Sequence, residues 1–193
     1  MNTNETRRSV LSAAAAAFTI LKPQQVRGYQ ANSAITIGLL GCGRRGTKVS
    51  SGFAKNEFAR LAALCDIYDD QLASASNQFT GARTFKRMED LIASNVDAAY
   101  IATPPSLHPE HFEAAVNARK HIFMEKPAGV DPTGCRRVLA AAKRADPNKR
   151  IAVDYQQRSG REYHAAYQIA QSGKLGAIKT IRASWLGGRA PFV

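Results

Sequence analysis

Cysteine is scarce in this chain. There are three in 193 residues, Cys42, Cys65 and Cys135, at irregular spacing. An odd, unpatterned set excludes a disulfide framework and a metal site built on cysteine pairs, so buried reduced thiols and no metal are expected. Aromatics make up 8% of the residues, with a single tryptophan. No basic strand is interleaved with aromatics and no zinc-finger spacing occurs, which argues against a nucleic-acid partner. Acidic residues are few, 15 against 27 Lys and Arg, for a net charge of +12. The cations fall in pairs along the chain (Arg44-Arg45, Arg136-Arg137, Lys149-Arg150), mostly where a helix ends or shows its wet face. Such positions favour cations without any polyanionic ligand. Long apolar runs are missing too. The stretch over residues 10–21 is about twelve residues, short of the roughly twenty that span a bilayer.

That stretch belongs to a segment of its own. Arg7-Arg8 precede it and Lys22-Pro23 follow. A charged start and a short apolar region read as an export signal, and residues 6–11 resemble the twin-arginine signal of bacteria. Residues 1–34 are therefore expected to direct the chain to the periplasm. A twin-arginine route carries folded protein, which suits an enzyme that loads its cofactor before export.

After residue 34 the pattern alternates. Strands are predicted over 35–40, 60–65, 83–85, 98–102, 121–124 and 151–155. Helices are predicted over 45–55, 69–79, 88–94, the stretch after 104, and 131–145. Strands separated by helical patterns mean βαβ units and a parallel sheet. Near Gln156 the rhythm changes to a helix, a glycine turn at Gly173–Gly176 and a strand of a different sheet.

The first strand runs into Gly41-Cys42-Gly43-Arg44-Arg45-Gly46, a G-x-G-x-x-G pattern placed between strand and helix. In that context the first glycine makes a tight turn, the second admits a pyrophosphate, and the third lets helix and strand pack closely. The anion would sit at the helix N-terminus. Arg44 and Arg45 add positive charge beside it. Asp66 stands twenty residues after Gly46, at the end of the next predicted strand. A carboxylate there accepts hydrogen bonds from the adenosine ribose and repels a 2′-phosphate, which favours NAD over NADP. The expected fold over residues 35–155 is an α/β Rossmann domain with a doubly wound parallel sheet. Residues 156–193 are expected to begin an α+β substrate domain that is truncated here.

Two further motifs lie at predicted strand ends. Thr103-Pro104-Pro105 forms a rigid turn, suited to packing against a nicotinamide ring or simply to stiffening a helix entry. Lys126 sits between Glu125 and Pro127. A lysine at a strand end can polarise a substrate hydroxyl or relay its proton. Alternatively it is solvated and paired with Glu125.

Gly41, Gly43, Gly46, Asp66, Thr103-Pro104-Pro105 with His108, and Glu125-Lys126-Pro127 together resemble the Gfo/Idh/MocA family. The likeness covers residues 35 to 155 and continues weakly beyond. It implies an NAD-dependent oxidoreductase acting on a sugar or polyol, with Lys126 assisting catalysis. It implies Glu125 at the nicotinamide ribose, His108 near the nicotinamide, a cis Lys126–Pro127 bond, and a homo-oligomer once the substrate domain is complete. For His108, a place in the capping region of a helix is an equal alternative. Gln157 and Arg158 are candidates for lining the site; His111, His121 and His164 are expected to be structural. One departure stands out: the family's D-x-x-x-H acid–base pair does not occur before Val193. Two other readings are therefore carried: an NAD-dependent glycosidase working by transient oxidation and elimination, and a dinucleotide-binding fragment without catalysis.

Overall fold

The computed structural model describes residues 34–184. The predicted export segment lies outside the described residues, apart from Ala34. The chain divides after Asp154 into two compact units.

In the first unit, six strands alternate with helices. They are β1 Ile35–Leu40, β2 Ala59–Cys65, β3 Arg83–Phe85, β4 Ala98–Ile101, β5 His121–Glu125 and β6 Ile151–Asp154. All neighbours are parallel, in the order β3-β2-β1-β4-β5-β6. This is the doubly wound Rossmann arrangement. The connecting helices are α1 Arg44–Phe53, α2 Asp69–Gln78, α3 Met88–Ala93, α4 His108–Asn117 and α5 Pro132–Lys143.

The strands are apolar on both faces because helices cover both. Side-chain alternation sorts them into two cores. Leu40, Ala99, Ile101, Ile122 and Met124 pack with Phe112 and Val116 of α4. Leu39, Leu61, Leu64 and Tyr100 pack with Leu72 and Ala75 of α2. Leu61 and Leu64 reach the same face because the β1–β2 register slips at Ala62, pairing Ile37 with Leu61 but Gly38 with Ala63. Phe53 packs edge-to-face on Tyr100 and Phe123, which are themselves tilted against each other, with centroids 5.4 to 5.6 Å apart; the three rings fasten α1 to the middle of the sheet.

Local signals fix several boundaries. Asp131 caps α5 by accepting from the Gly134 N–H at 2.7 Å, and Pro132 fills the first position, where no N–H is needed. At the opposite end of the sheet, Asp97 accepts from the Thr36 N–H at 2.8 Å and its hydroxyl at 2.6 Å, tying β4 to β1.

The second unit contains a 3-10 turn, Gln156–Ser159, and helix α6, Arg161–Gln171. Gly173 and Gly176 adopt positive φ, as the expected turn requires. The predicted strand is absent from residues 177–184. An extended segment becomes a strand only when a neighbour supplies its hydrogen bonds.

Candidate dinucleotide site

The order of the sheet reverses between β1 and β4, so their C-terminal ends open a crevice. A cleft of about 930 Å³ lies there, lined by Gly41, Gly43, Arg44, Asp66, Thr103 and Pro104 among others.

The glycine loop explains its own composition. Gly41 has φ +93, and a Cβ there would lie 2.6 Å from the Ala102 carbonyl oxygen. A Cβ on Gly46 would meet the Gly41 carbonyl at 2.1 Å, so α1 rests directly on the turn. At Gly43 the same construction meets nothing within 4 Å: the loop faces open space. Helix α1 starts there with no capping side chain and no acid in its first turn. Its first helical bond runs from the Thr47 N–H to the Gly43 carbonyl at 3.0 Å. The preceding N–H groups are thus left for an outside acceptor. Open space, free donors and a helix N-terminus fit a pyrophosphate.

Asp66 is held by backbone. Its Oδ2 accepts from the Cys42 N–H at 2.8 Å and its Oδ1 from the Tyr68 N–H at 3.0 Å. The carboxylate therefore braces the glycine loop as well as facing the cleft, and each oxygen keeps a lone pair for a ribose hydroxyl. The Cys42 and Cys65 thiols are buried beside it. Burial first, and then the charge of Asp66, push them up to about 12 and about 11. Both are inert protonated thiols, as expected of reduced, buried cysteines.

The two arginines part company. Arg44 lines the cleft, and its guanidinium has no hydrogen bond or ion pair to other described residues, so it is free to meet a phosphate. Arg45 lines the cleft too, but its guanidinium is already engaged. Its Nε donates to Glu125 Oε1 at 2.7 Å, and its Nη2 pairs with Asp154. Two carboxylates at the ends of β5 and β6 outcompete a solvated position. Glu125 is 5% exposed and also accepts from the Tyr100 hydroxyl at 2.9 Å. It does not line the cleft, and it does not pair with Lys126, which removes the pairing alternative for that lysine. Lys126 is exposed directly after β5, with no partner among the described residues, and its bond to Pro127 is cis.

Thr103 and Pro104 line the cleft, and Pro105 opens the short 3-10 turn Pro105–Leu107 that leads into α4. The Thr103 hydroxyl lies 3.0 Å from His111 Nδ1, so His111 orients the residue that faces the ligand. Burial holds the His111 imidazole below its ordinary range. His108 fits the alternative reading, a place at the start of a helix: it opens α4. It is 1% exposed, with Nδ1 2.7 Å from the Pro127 carbonyl and Nε2 2.8 Å from the Thr103 carbonyl. It clamps the two strand-end loops together from within and does not reach the cleft. Gln157 and Arg158 lie in the 3-10 turn of the second unit. Sequence reasoning overlooked Tyr100 and Asp154, and set aside as structural His111, which lines the cleft. Asp154 had one legible signal: it lies near the end of the predicted strand 151–155 as Glu125 lies just after the predicted strand 121–124, and the register makes the two partners. Among the described residues no group of acids, histidines and cysteines is placed to hold a metal.

A parallel sheet of this order, a glycine turn with an uncapped helix and a carboxylate beyond the second strand define a dinucleotide-binding protein. Residues 35–155 match the family described as oxidoreductases with an NAD-binding Rossmann fold, Gfo/Idh/MocA. The chain belongs to that family. It is similar to myo-inositol 2-dehydrogenase of Thermotoga maritima, with 26% identity over 76% of this chain and 43% of the relative. It is 32% identical to inositol 2-dehydrogenase of Ralstonia nicotianae over 74% of this chain and 43% of that protein. Among solved structures, scyllo-inositol dehydrogenase from Lactobacillus casei with NAD(H) and scyllo-inositol superposes with a TM-score of 0.69 at 29% identity. That match covers 74% of this chain and 42% of the other. The WlbA dehydrogenase from Bordetella pertussis, in complex with NADH and UDP-GlcNAcA, also gives 0.69 at 29% identity, over 75% and 42%. The chain thus spans less than half the length of the relatives it matches.

Proposed function

We propose that this chain serves an NAD-dependent oxidation of a sugar or polyol, with hydride leaving a hydroxyl-bearing carbon. The observation that carries the reading is the joint placement of the open face at Gly43, the uncapped N-terminus of α1 and the Asp66 carboxylate around one cleft. The bound dinucleotide supplies the hydride acceptor; the protein binds and orients it. Gly43 and the first turn of α1 take the pyrophosphate, Arg44 adds charge, and Asp66 takes the adenosine ribose and disfavours a 2′-phosphate. Lys126 holds the proton of the substrate hydroxyl at its Nζ. The relatives, inositol dehydrogenases and a dehydrogenase solved in complex with NADH and UDP-GlcNAcA, support a polyol or sugar substrate and favour net hydride transfer over the glycosidase reading. Arg7-Arg8 before an apolar stretch supports periplasmic export, testable by fusing residues 1–34 to a reporter. Self-association accompanies this reading, and sedimentation measures it.

The deciding experiment is calorimetric titration of the chain with NAD and NADP, followed by assay of NADH formation with a panel of inositols and hexoses. NAD binding tighter than NADP is expected. A folded chain that binds neither overturns the reading.

A further inference from the structure

Asp66 faces the cleft, and the turn that aims it is exposed. Ile67 and Tyr68 are 72% and 62% exposed. Helix α2 begins directly after them, with no capping side chain at Tyr68. Yet the Tyr68 N–H is the donor that fixes Asp66 Oδ1, at 3.0 Å. A functional side chain is aimed only as well as the groups behind it are held.

The hold comes from the neighbouring strand. Strands β2 and β3 stay in register to their ends, with Cys65 opposite Phe85. The Asp66 N–H then reaches the Phe85 carbonyl at 3.3 Å. This puts Lys86, the next residue, beside the turn. Its Nζ donates to the Ile67 carbonyl at 3.0 Å and pairs with Asp69 Oδ1 at 2.6 Å. The two contacts flank Tyr68 in sequence, so one ammonium grips the turn on both sides of the N–H that Asp66 uses. Lys86 also lines the cleft. A cation there has a rival use, attraction of a 2′-phosphate. The Asp69 carboxylate opposes that use, because it offsets the charge at close range.

On the dinucleotide reading above, we propose that Lys86 is a positioning residue for Asp66 and thereby a determinant of the preference for NAD over NADP. By holding residues 67–69 it keeps the carboxylate fixed where it accepts from the ribose 2′-hydroxyl and repels a 2′-phosphate. The lysine thus works against the ligand that its own charge attracts.

The two uses of the lysine have opposite signs. The test titrates the full chain with NAD and NADP and follows the ratio of the NADP to the NAD dissociation constant, with thermal melting to confirm the fold. Lys86→Met removes the grip and keeps most of the apolar stem. It is expected to lower the ratio about threefold, the size of a half-exposed charged contact, mainly by weakening NAD. Lys86→Arg keeps a cation with several donors and is expected to hold the ratio near the parent's. Where Lys86→Met fails to fold, Lys86→Gln, too short and uncharged to span both contacts, takes its place. In an Asp66→Ala background, Lys86→Met is expected to change the ratio no further. A ratio that rises in Lys86→Met overturns the proposal, since the lysine then serves the 2′-phosphate directly. An unchanged ratio overturns it too, and so does the same fall in the absence of Asp66. A parent chain that binds neither dinucleotide fails at the earlier step, and the dinucleotide reading falls with it.

Discussion

On the β1–β2 side of the crevice, Asp66 receives two backbone N–H groups, from Cys42 and Tyr68. On the β4–β5–β6 side, Glu125 and Asp154 are held by the side chains of Arg45 and Tyr100, and His108 bridges two loops. The first side is built from groups whose directions the chain fixes locally, with the Asp66–Cys42 contact spanning 24 residues. The second is assembled from groups 80 and 109 residues apart, each with rotamers of its own. A backbone-built half tolerates substitution of its x positions but not of its glycines. A side-chain-built half has the opposite weakness, because removing one partner strands the others.

The sharpest way to break this contrast is at Gly46. A methyl there meets the Gly41 carbonyl at 2.1 Å. Gly46→Ala is expected to cost about 3 kcal/mol by overpacking and to abolish NAD binding, read by thermal melting and calorimetry. Next is Arg45→Met. It leaves two poorly solvated carboxylates facing each other and is expected to cost about 2 kcal/mol in urea unfolding. Adding Glu125→Gln should recover part of that loss. If Arg45→Met is as stable as the parent, the second half is not held together by charge. Asp66→Ala is expected to weaken NAD about tenfold by removing a charged acceptor and to narrow the gap to NADP. An unchanged preference removes the role given to Asp66.

The smallest effect lies away from both halves. Burial alone would raise the Asp97 carboxyl, but the two hydrogen bonds from Thr36 prevail and hold it below 3.8. A depressed folded pKa stabilises the protein above the unfolded value, and that stability is lost as pH falls through the folded one. Asp97→Asn should cost about 1 kcal/mol at neutral pH, flatten the loss below pH 4, and leave NAD affinity untouched.

This contrast also explains what could be read from residues alone. The strands, helices and Rossmann order follow from apolar runs broken by helical periodicity. Gly41, Gly43, Gly46 and Asp66 were legible because their geometry is local. The ion pairs of Arg45 were not legible because nothing near it announces a partner 80 residues away. His108 shows the same blindness. Its place in T-P-P-x-x-H was plain, but whether the ring turns to the cleft or into the core depends on the Pro127 carbonyl, which only folding brings near. The expected strand beyond Gly176 rested on apolar spacing, which does not say whether a neighbouring strand is present.

The three cysteines, unused by any chemistry above, grade the protein by depth. Cys135 is partly exposed on α5, whereas Cys65 and Cys42 are buried at the roots of the glycine loop. A thiol-selective alkylating reagent consumes only thiolate, so the last two label only when their surroundings open. Labelling rates at the three sites therefore form a built-in depth gauge. A ligand that seats against the loop slows the deep pair and leaves Cys135 unchanged, and no tag has to be engineered to see it.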